Sequence, residues 1–190
     1  LEIIPQYDAL IIRSGTKVDA DILQAARNLK VVGRAGMGVD NIDIVAATRV
    51  GIIVMNTPGA NSMATAVQTM AMMLAVSRHI PQAFRSLQAG EWMRSSDVGT
   101  ELYGKTLGII GFGRVGRLVA QRARAFGMEV VAYDPFVSEE VARDLGVALV
   151  DLEDLLPEAD YVTLHTALLP VTTGMINAQS ISQMKDGVIL

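Results

Sequence analysis

Gly111, Gly113 and Gly116 end the run Thr106-Leu107-Gly108-Ile109-Ile110-Gly111-Phe112-Gly113-Arg114-Val115-Gly116, an aliphatic stretch that breaks into glycines at G-x-G-x-x-G spacing. These types and this spacing suit the binding of a pyrophosphate. Gly111 permits a tight turn, Gly113 lets the backbone approach the phosphates with no side chain in the way, and Gly116 lets a following helix lie close on the strand. That helix, expected over 117–125, would offer free N–H donors and positive potential at its start, where Arg114 and Val115 stand. Asp134 closes the next aliphatic run, Val130-Val131-Ala132-Tyr133, close to the ~20-residue spacing of a carboxylate that binds the ribose of a dinucleotide. A carboxylate there accepts from both ribose hydroxyls and repels a 2′-phosphate, which favours NAD over NADP. An ordinary strand-helix turn with a surface aspartate is the bland alternative, and the joint match weighs against it.

Other residues with chemical potential are few. The chain has two histidines and no cysteine, which removes disulfides, thiolate metal sites and cysteine nucleophiles and fits a reducing compartment such as the cytoplasm. His165 closes an aliphatic run, while His79 follows Arg78 near a helix end and is expected to face solvent. Arg13 and Arg34 stand at strand ends in the first third, where a ligand crevice is expected, and Arg94 lies in an irregular segment. Forked guanidinium donors suit a phosphate, although isolated arginines are more often simply solvated.

The elements that must position these residues alternate. Short runs rich in aliphatic and β-branched residues predict strands at 9–12, 30–32, 52–55, 106–110, 129–133, 161–164 and 187–190. Helical stretches fall between them, with expected starts at Ser138, followed by Glu139 and Glu140, and at Asp151, followed by Asp154. This is βαβ alternation, which predicts an α/β fold of parallel strands with ligands at their carboxyl ends. The alternation stops after residue 57, where a helix over 62–77 leads through Pro81 into a second over 82–89. We therefore expect a smaller α/β unit at 1–57, and at 58–190 linking helices followed by a dinucleotide-binding unit. Met63, Met70, Met72 and Met73 crowd one helix, where packing in the core or against a second copy is the expected use.

Composition narrows the partners. With 190 residues, half of them apolar and 19% charged, the chain can bury a substantial core. Its net charge is −4 and it has no basic block, which argues against a nucleic-acid surface. The longest purely apolar helical run, 70–76, is far short of the ~20 residues that span a bilayer, and the first residues lack the pattern of a secretory signal. A small molecule is the expected ligand.

The GFGRVG fingerprint and Tyr133-Asp134-Pro135 resemble the D-isomer-specific 2-hydroxyacid dehydrogenases. So do Leu10-Ile11-Ile12-Arg13-Ser14, the run from Gly33 to Asn41, Asn56-Thr57-Pro58 with Asn61-Ser62, and Leu164-His165-Thr166 with Thr172-Thr173-Gly174. The likeness spans essentially the whole chain and is strongest to the branch that acts on phosphoglycerate. It implies an incomplete Rossmann-type, doubly wound parallel sheet with part of a smaller flavodoxin-like substrate domain. It also implies NAD as cofactor, a small phosphorylated hydroxy acid as substrate, and a cytoplasmic homodimer or larger homo-oligomer. By resemblance Arg13, Arg34 and Arg94 look like the cationic group that holds the substrate phosphate, Ser14 like a further substrate contact, Gly36 and Gly38 like a backbone donor loop for its carboxylate, and Met37 and Thr166 like contacts of the cofactor.

Three positions depart from the family pattern. Met37 replaces a threonine that contacts the cofactor, Ala167 replaces the proline of a His-Thr-Pro turn, and Val67 replaces a glutamate. Hydride transfer from a hydroxy acid also needs a base for the hydroxyl proton and a cation for the carboxylate. The resemblance gives His165 a loop-building role and places the catalytic arginine, glutamate and histidine beyond the position matching Leu190. The expectation is therefore a piece of a longer protein, with no catalytic residue of its own and with bare strand edges that favour association. Three readings stay open beside it: a relative acting on glyoxylate, hydroxypyruvate or D-lactate, an NAD(H)-sensing module without turnover, and a methyltransferase-like nucleotide user of the same architecture.

Overall fold

The computed structural model describes residues 2–93 and 98–190. Arg94 lies outside the described residues. The chain forms two compact units, Leu1–Asn61 and Ser62–Leu190.

In the first unit β1 (Ala9–Ile12), β2 (Val31–Arg34) and β3 (Ile53–Asn56) form a parallel sheet in that order. Helices α1 (Ala20–Ala25) and α2 (Ile44–Arg49) make the crossovers, and each begins at an aspartate whose side chain accepts an orphan N–H. Asp19 takes that of Ile22 at 3.2 Å and Asp43 that of Ala46 at 2.8 Å. Ile12, Val18, Leu23, Val32, Ala47 and Ile52 are central to the core between sheet and helices. Strand β2 runs two residues past its expected end because Gly33 does not break the ladder. Ile11 pairs with Gly33, and Ile12 with Arg34, which in turn pairs with Asn56. Arg34 thereby falls on the face of Val32, the core face.

In the second unit α3 (Ser62–Ser77) and α4 (Ile80–Gln88) precede β4 (Thr106–Ile110), α5 (Arg114–Ala125), β5 (Glu129–Tyr133), α6 (Glu139–Asp144), β6 (Ala148–Leu149), α7 (Leu152–Glu158), β7 (Tyr161–Leu164) and α8 (Ala178–Ser182). The sheet is parallel in the order β6-β5-β4-β7. From β4 the chain builds outward through β5 and β6, then returns to the other flank for β7. That reversal of order is the Rossmann-type switch point at which α/β sheets bind ligands. Helix α3 packs along α5, and Leu155 and Leu156 of α7 pack with Ile110 and Val162 in the core.

Several expectations change in detail. The two-residue β6 was not predicted, and 187–190 is no strand but a single bridge, Tyr161 to Ile189. Pro81 lies inside the first turn of α4, where its missing N–H costs nothing, so the helix starts before it. Ser138 and Asp151 do stand at helix starts, yet neither side chain makes a capping bond. Of the crowded methionines, Met70 and Met73 are buried and Met63 and Met72 exposed. Among the described residues no helix is long and apolar enough to cross a membrane.

Candidate functional site

Strand β4 is buried from Leu107 onward and delivers the chain into the fingerprint turn at its carboxyl end. Gly111 has φ +95°, and its N–H donates to the Tyr133 carbonyl at 2.9 Å. A Cβ there would meet the His165 carbonyl carbon and oxygen at 2.8 Å, so the turn lies against the end of β7 with no room for a side chain. A Cβ on Gly116 would strike the Gly111 carbonyl oxygen, which is the close helix packing the spacing predicts. At Gly113 nothing lies within 4 Å of such a Cβ. The space above that residue is open for a ligand. Gly113 also begins α5 with no side-chain cap, so the first N–H groups of the helix have no side-chain acceptor from it.

Asp134 reaches back to this turn. The Phe112 N–H donates to its Oδ2 at 2.8 Å, and the Phe136 N–H to its Oδ1 at 2.9 Å. Each carboxylate oxygen is held by one backbone donor and keeps acceptor capacity for one ligand hydroxyl. The phosphate turn and the acid are thus parts of one hydrogen-bonded unit, a link that sequence spacing does not reveal.

A pocket of about 380 Å³ opens beside them, bounded by Gly111, Gly113, Asp134, His165 and Thr166. Phe136, Leu169, Val171 and Met175 supply apolar walls that suit a planar base. None of these four stands in a motif of the sequence; the rule that ligands sit at strand carboxyl ends is the signal that points to them. Ala167, in place of a proline, stands in a turn closed by Thr172, whose hydroxyl donates to the Ala167 carbonyl at 2.7 Å and accepts from the Leu169 N–H at 2.8 Å. The His165 backbone N–H donates to the Ile110 carbonyl at 2.8 Å, and the ring Nε2 lies 3.1 Å from Thr163 Oγ1. Burial, which disfavours the charged imidazolium, pushes the His165 pKa below the ordinary imidazole value. The open glycine, the uncapped helix start, the tethered acid and the apolar pocket together fit a dinucleotide.

The candidates of the first unit, Arg13, Ser14, Arg34 and Gly36 to Gly38, stand at or just after the carboxyl ends of β1 and β2. Arg13 and Ser14 follow β1 and are exposed, whereas the Arg34 side chain, at the end of β2, is only 10% exposed. Its Nη1 lies 3.4 Å from Asp40 Oδ1. The loop 36–38 passes over it. Asn56 Nδ2 donates to the Met37 carbonyl at 2.6 Å, the Thr57 N–H to Gly36 at 3.0 Å, and Asn41 Nδ2 to the Arg13 carbonyl at 3.0 Å. Asp40, Asn41, Asn56 and Thr57 therefore shape this edge. Their place in the motif runs was the available signal, but no role had been attached to them.

Comparison with known proteins agrees with this geometry. The family described as D-isomer specific 2-hydroxyacid dehydrogenase, NAD binding domain, matches residues 70–190. The chain is 54% identical over 187 residues to the D-3-phosphoglycerate dehydrogenase of Archaeoglobus fulgidus, covering 98% of this chain and 36% of that protein. With the rat protein of the same name it shares 54% identity over 181 residues, 95% of this chain and 34% of the relative. The chain thus spans about a third of the length of these curated relatives. Among solved structures it is similar to D-lactate dehydrogenase from Aquifex aeolicus complexed with NAD and lactic acid, with a TM-score of 0.91 and 30% identity over 98% of this chain and 56% of that one. It is also similar to a glyoxylate reductase from Paecilomyes thermophila, with a TM-score of 0.87 and 34% identity over 97% and 58%. The chain belongs to the D-isomer-specific 2-hydroxyacid dehydrogenases, and residues 70–190 are the NAD-binding part of that family.

Proposed function

We propose that the protein to which this chain belongs oxidises D-3-phosphoglycerate to 3-phosphohydroxypyruvate, the entry to serine synthesis, as a cytoplasmic homo-oligomer. The observation that carries this reading is the pair of arginines on neighbouring strand ends, Arg13 and Arg34, beside the Gly36–Gly38 loop. They give the first unit a cationic edge suited to an acid that carries both a carboxylate and a phosphate. Relatives at 50–54% identity that carry the phosphoglycerate name support the same substrate.

NAD, when bound, supplies the acceptor for the substrate's hydride. Gly111, Gly113 and Gly116, with the N–H groups of Arg114 and Val115, hold its pyrophosphate, and Asp134 holds the adenosine ribose. Thr166 and Met37 are the further cofactor contacts in this proposal. Arg13 and Arg94 provide for the phosphate of the substrate, Ser14 is a further substrate contact, and Gly36 and Gly38, with Arg34 beside them, receive its carboxylate. Neither histidine is assigned the hydroxyl proton. His165 bonds Thr163 at the end of β7, and His79 joins two helices.

The test is steady-state kinetics of the full-length protein with D-3-phosphoglycerate, D-lactate and D-glycerate as alternative donors to NAD. The proposal requires kcat/KM for phosphoglycerate to exceed the others by at least about a hundredfold, the contribution of roughly 3 kcal/mol from charge-assisted contacts to a phosphate. Equal values would assign the protein to another branch of the family.

A further inference from the structure

Arg34 and Arg13 occupy adjacent strand ends but meet their surroundings differently. Arg34 lies on the core face of β2, and its Nε is buried without a hydrogen-bond partner in the structure. The loop 36–38 lies directly on the guanidinium. A Cβ on Gly36 would stand 3.6 Å from both Cζ and Nε, and one on Gly38 would stand 2.8 Å from Nη1 and 2.6 Å from Asp40 Oδ1. At Gly36 that is ordinary contact, but at Gly38 a side chain would displace the guanidinium or the carboxylate. Asp40 closes the arrangement from the solvent side, with a side chain 64% exposed and an oxygen 3.4 Å from Nη1. A guanidinium covered by backbone and paired with a carboxylate offers little edge to a phosphate. Arg13 is exposed.

We infer that Arg34 is a positioning residue, which with Asp40 supports the Gly36–Gly38 backbone that receives the substrate carboxylate, and that direct contact with the substrate phosphate falls to Arg13. The inference rests on the substrate reading above. It separates two jobs that the sequence pattern assigns to one cluster. The planar fork of arginine suits the first, because a flat group can lie beneath peptide planes while its edge faces a carboxylate.

Asp40→Asn gives the two roles opposite signs. If Arg34 gripped the phosphate, Asp40 would compete with that anion, and removing its charge would tighten phosphoglycerate binding alone. If the Arg34–Asp40 pair supports the loop, the same change loosens the seat of the carboxylate, which every hydroxy acid shares. The experiment uses the full-length protein and measures KM and kcat for D-3-phosphoglycerate, the inhibition constant of D-glycerate, and the dissociation constant of NADH. For Asp40→Asn we expect both acid constants to rise by the same factor, about tenfold, with kcat within about twofold and NADH binding unchanged, because contacts shared by ground and transition states raise KM alone. Arg13→Ala should weaken phosphoglycerate and leave D-glycerate as it was.

Gly38→Ala provides a second route. It displaces the pair sterically without altering charge, so it must reproduce the equal loss for both acids even if Asp40→Asn does not fold. Tighter or unchanged phosphoglycerate binding in Asp40→Asn, or a loss confined to phosphoglycerate in Gly38→Ala, overturns the inference. Wild-type protein that binds D-glycerate but gains nothing from the phosphate overturns the substrate reading and leaves the loop result to stand separately.

Discussion

Asp134 is held by two backbone donors before any ligand arrives, so its carboxylate is oriented by the Phe112 and Phe136 peptides and loses little freedom on binding. Asp134→Ala should therefore weaken NADH by about tenfold to a hundredfold, equivalent to roughly 1.5–3 kcal/mol for hydrogen bonds to a charged group. It should also narrow the preference over NADPH, because the charge that repels a 2′-phosphate has gone. Fluorescence titration with both nucleotides reads the two effects, and equal affinities before and after would detach Asp134 from the ribose. The glycines and this acid were legible in the sequence because each meets a requirement of residue type: no side chain, or a carboxylate at a strand end. The fate of Arg34 was not. Residue type gives its charge, but whether the fork points outward or lies beneath a loop depends on which face of β2 it occupies. A predicted strand that stops at Val32 hides that face.

At the scale of elements β1, β4, β5 and β7, whose runs are rich in aliphatic and β-branched residues, were readable to the residue. What escaped was set by neighbours. Strand β6 is two residues long and exists through its pairing with β5, and α4 begins one residue before Pro81 because His79 turns the chain. His79 has φ +50° and is the one non-glycine residue in the left-handed region among those described. Such a conformation costs an L residue about 1–2 kcal/mol. His79→Gly should accordingly raise stability by about 0.5–1 kcal/mol after the greater unfolded-state freedom of glycine is set against it. Urea unfolding measures this, and lower stability would show that the imidazole makes compensating contacts.

A second device joins elements at the opposite end of the sheet. Asp160, just before β7, accepts from the Thr106 N–H of β4 at 2.8 Å and from Lys185 Nζ at 3.0 Å. Burial, the largest single influence, pushes its carboxyl pKa up, but the Thr106 bond with Lys185 and Lys105 outweighs it and holds the pKa below the usual value. A carboxylate depressed in the folded state contributes stability that is complete above its unfolded pKa near 3.9 and is lost as pH falls through the lower folded value. The wild-type chain should lose stability on acidification below about pH 4, and Asp160→Asn should flatten that part of the profile while lowering stability at pH 7. Melting temperatures from pH 2.5 to 7 test it. A variant whose profile parallels the wild type would remove Asp160 from the acid response.

For the molecule as a whole, the first unit carries an unbalanced sheet. Parallel sheets are ordinarily covered on both faces, and the unbroken aliphatic sequence of β1 reads as a strand buried on both. Here α1 and α2 cover one face, while Ile11, Ile53 and Met55 on the other are 82%, 63% and 59% exposed. The register sets them together. Ala9, Val31 and Ile53 form one row across the sheet, and Ile11, Gly33 and Met55 the next. A contiguous apolar surface of this kind marks a place where another surface packs. The chain studied alone should accordingly associate beyond its 20.3 kDa mass at micromolar concentration, and Ile53→Lys with Met55→Lys should move it toward the monomer. Because both side chains are already in water, the double change should alter unfolding free energy by only about 0.5 kcal/mol per site. Sedimentation velocity of the two proteins, with melting curves as the control on folding, decides the matter. A wild-type monomer would show that the face is tolerated bare, and association unchanged in the double variant would place the contact on some other surface of the chain.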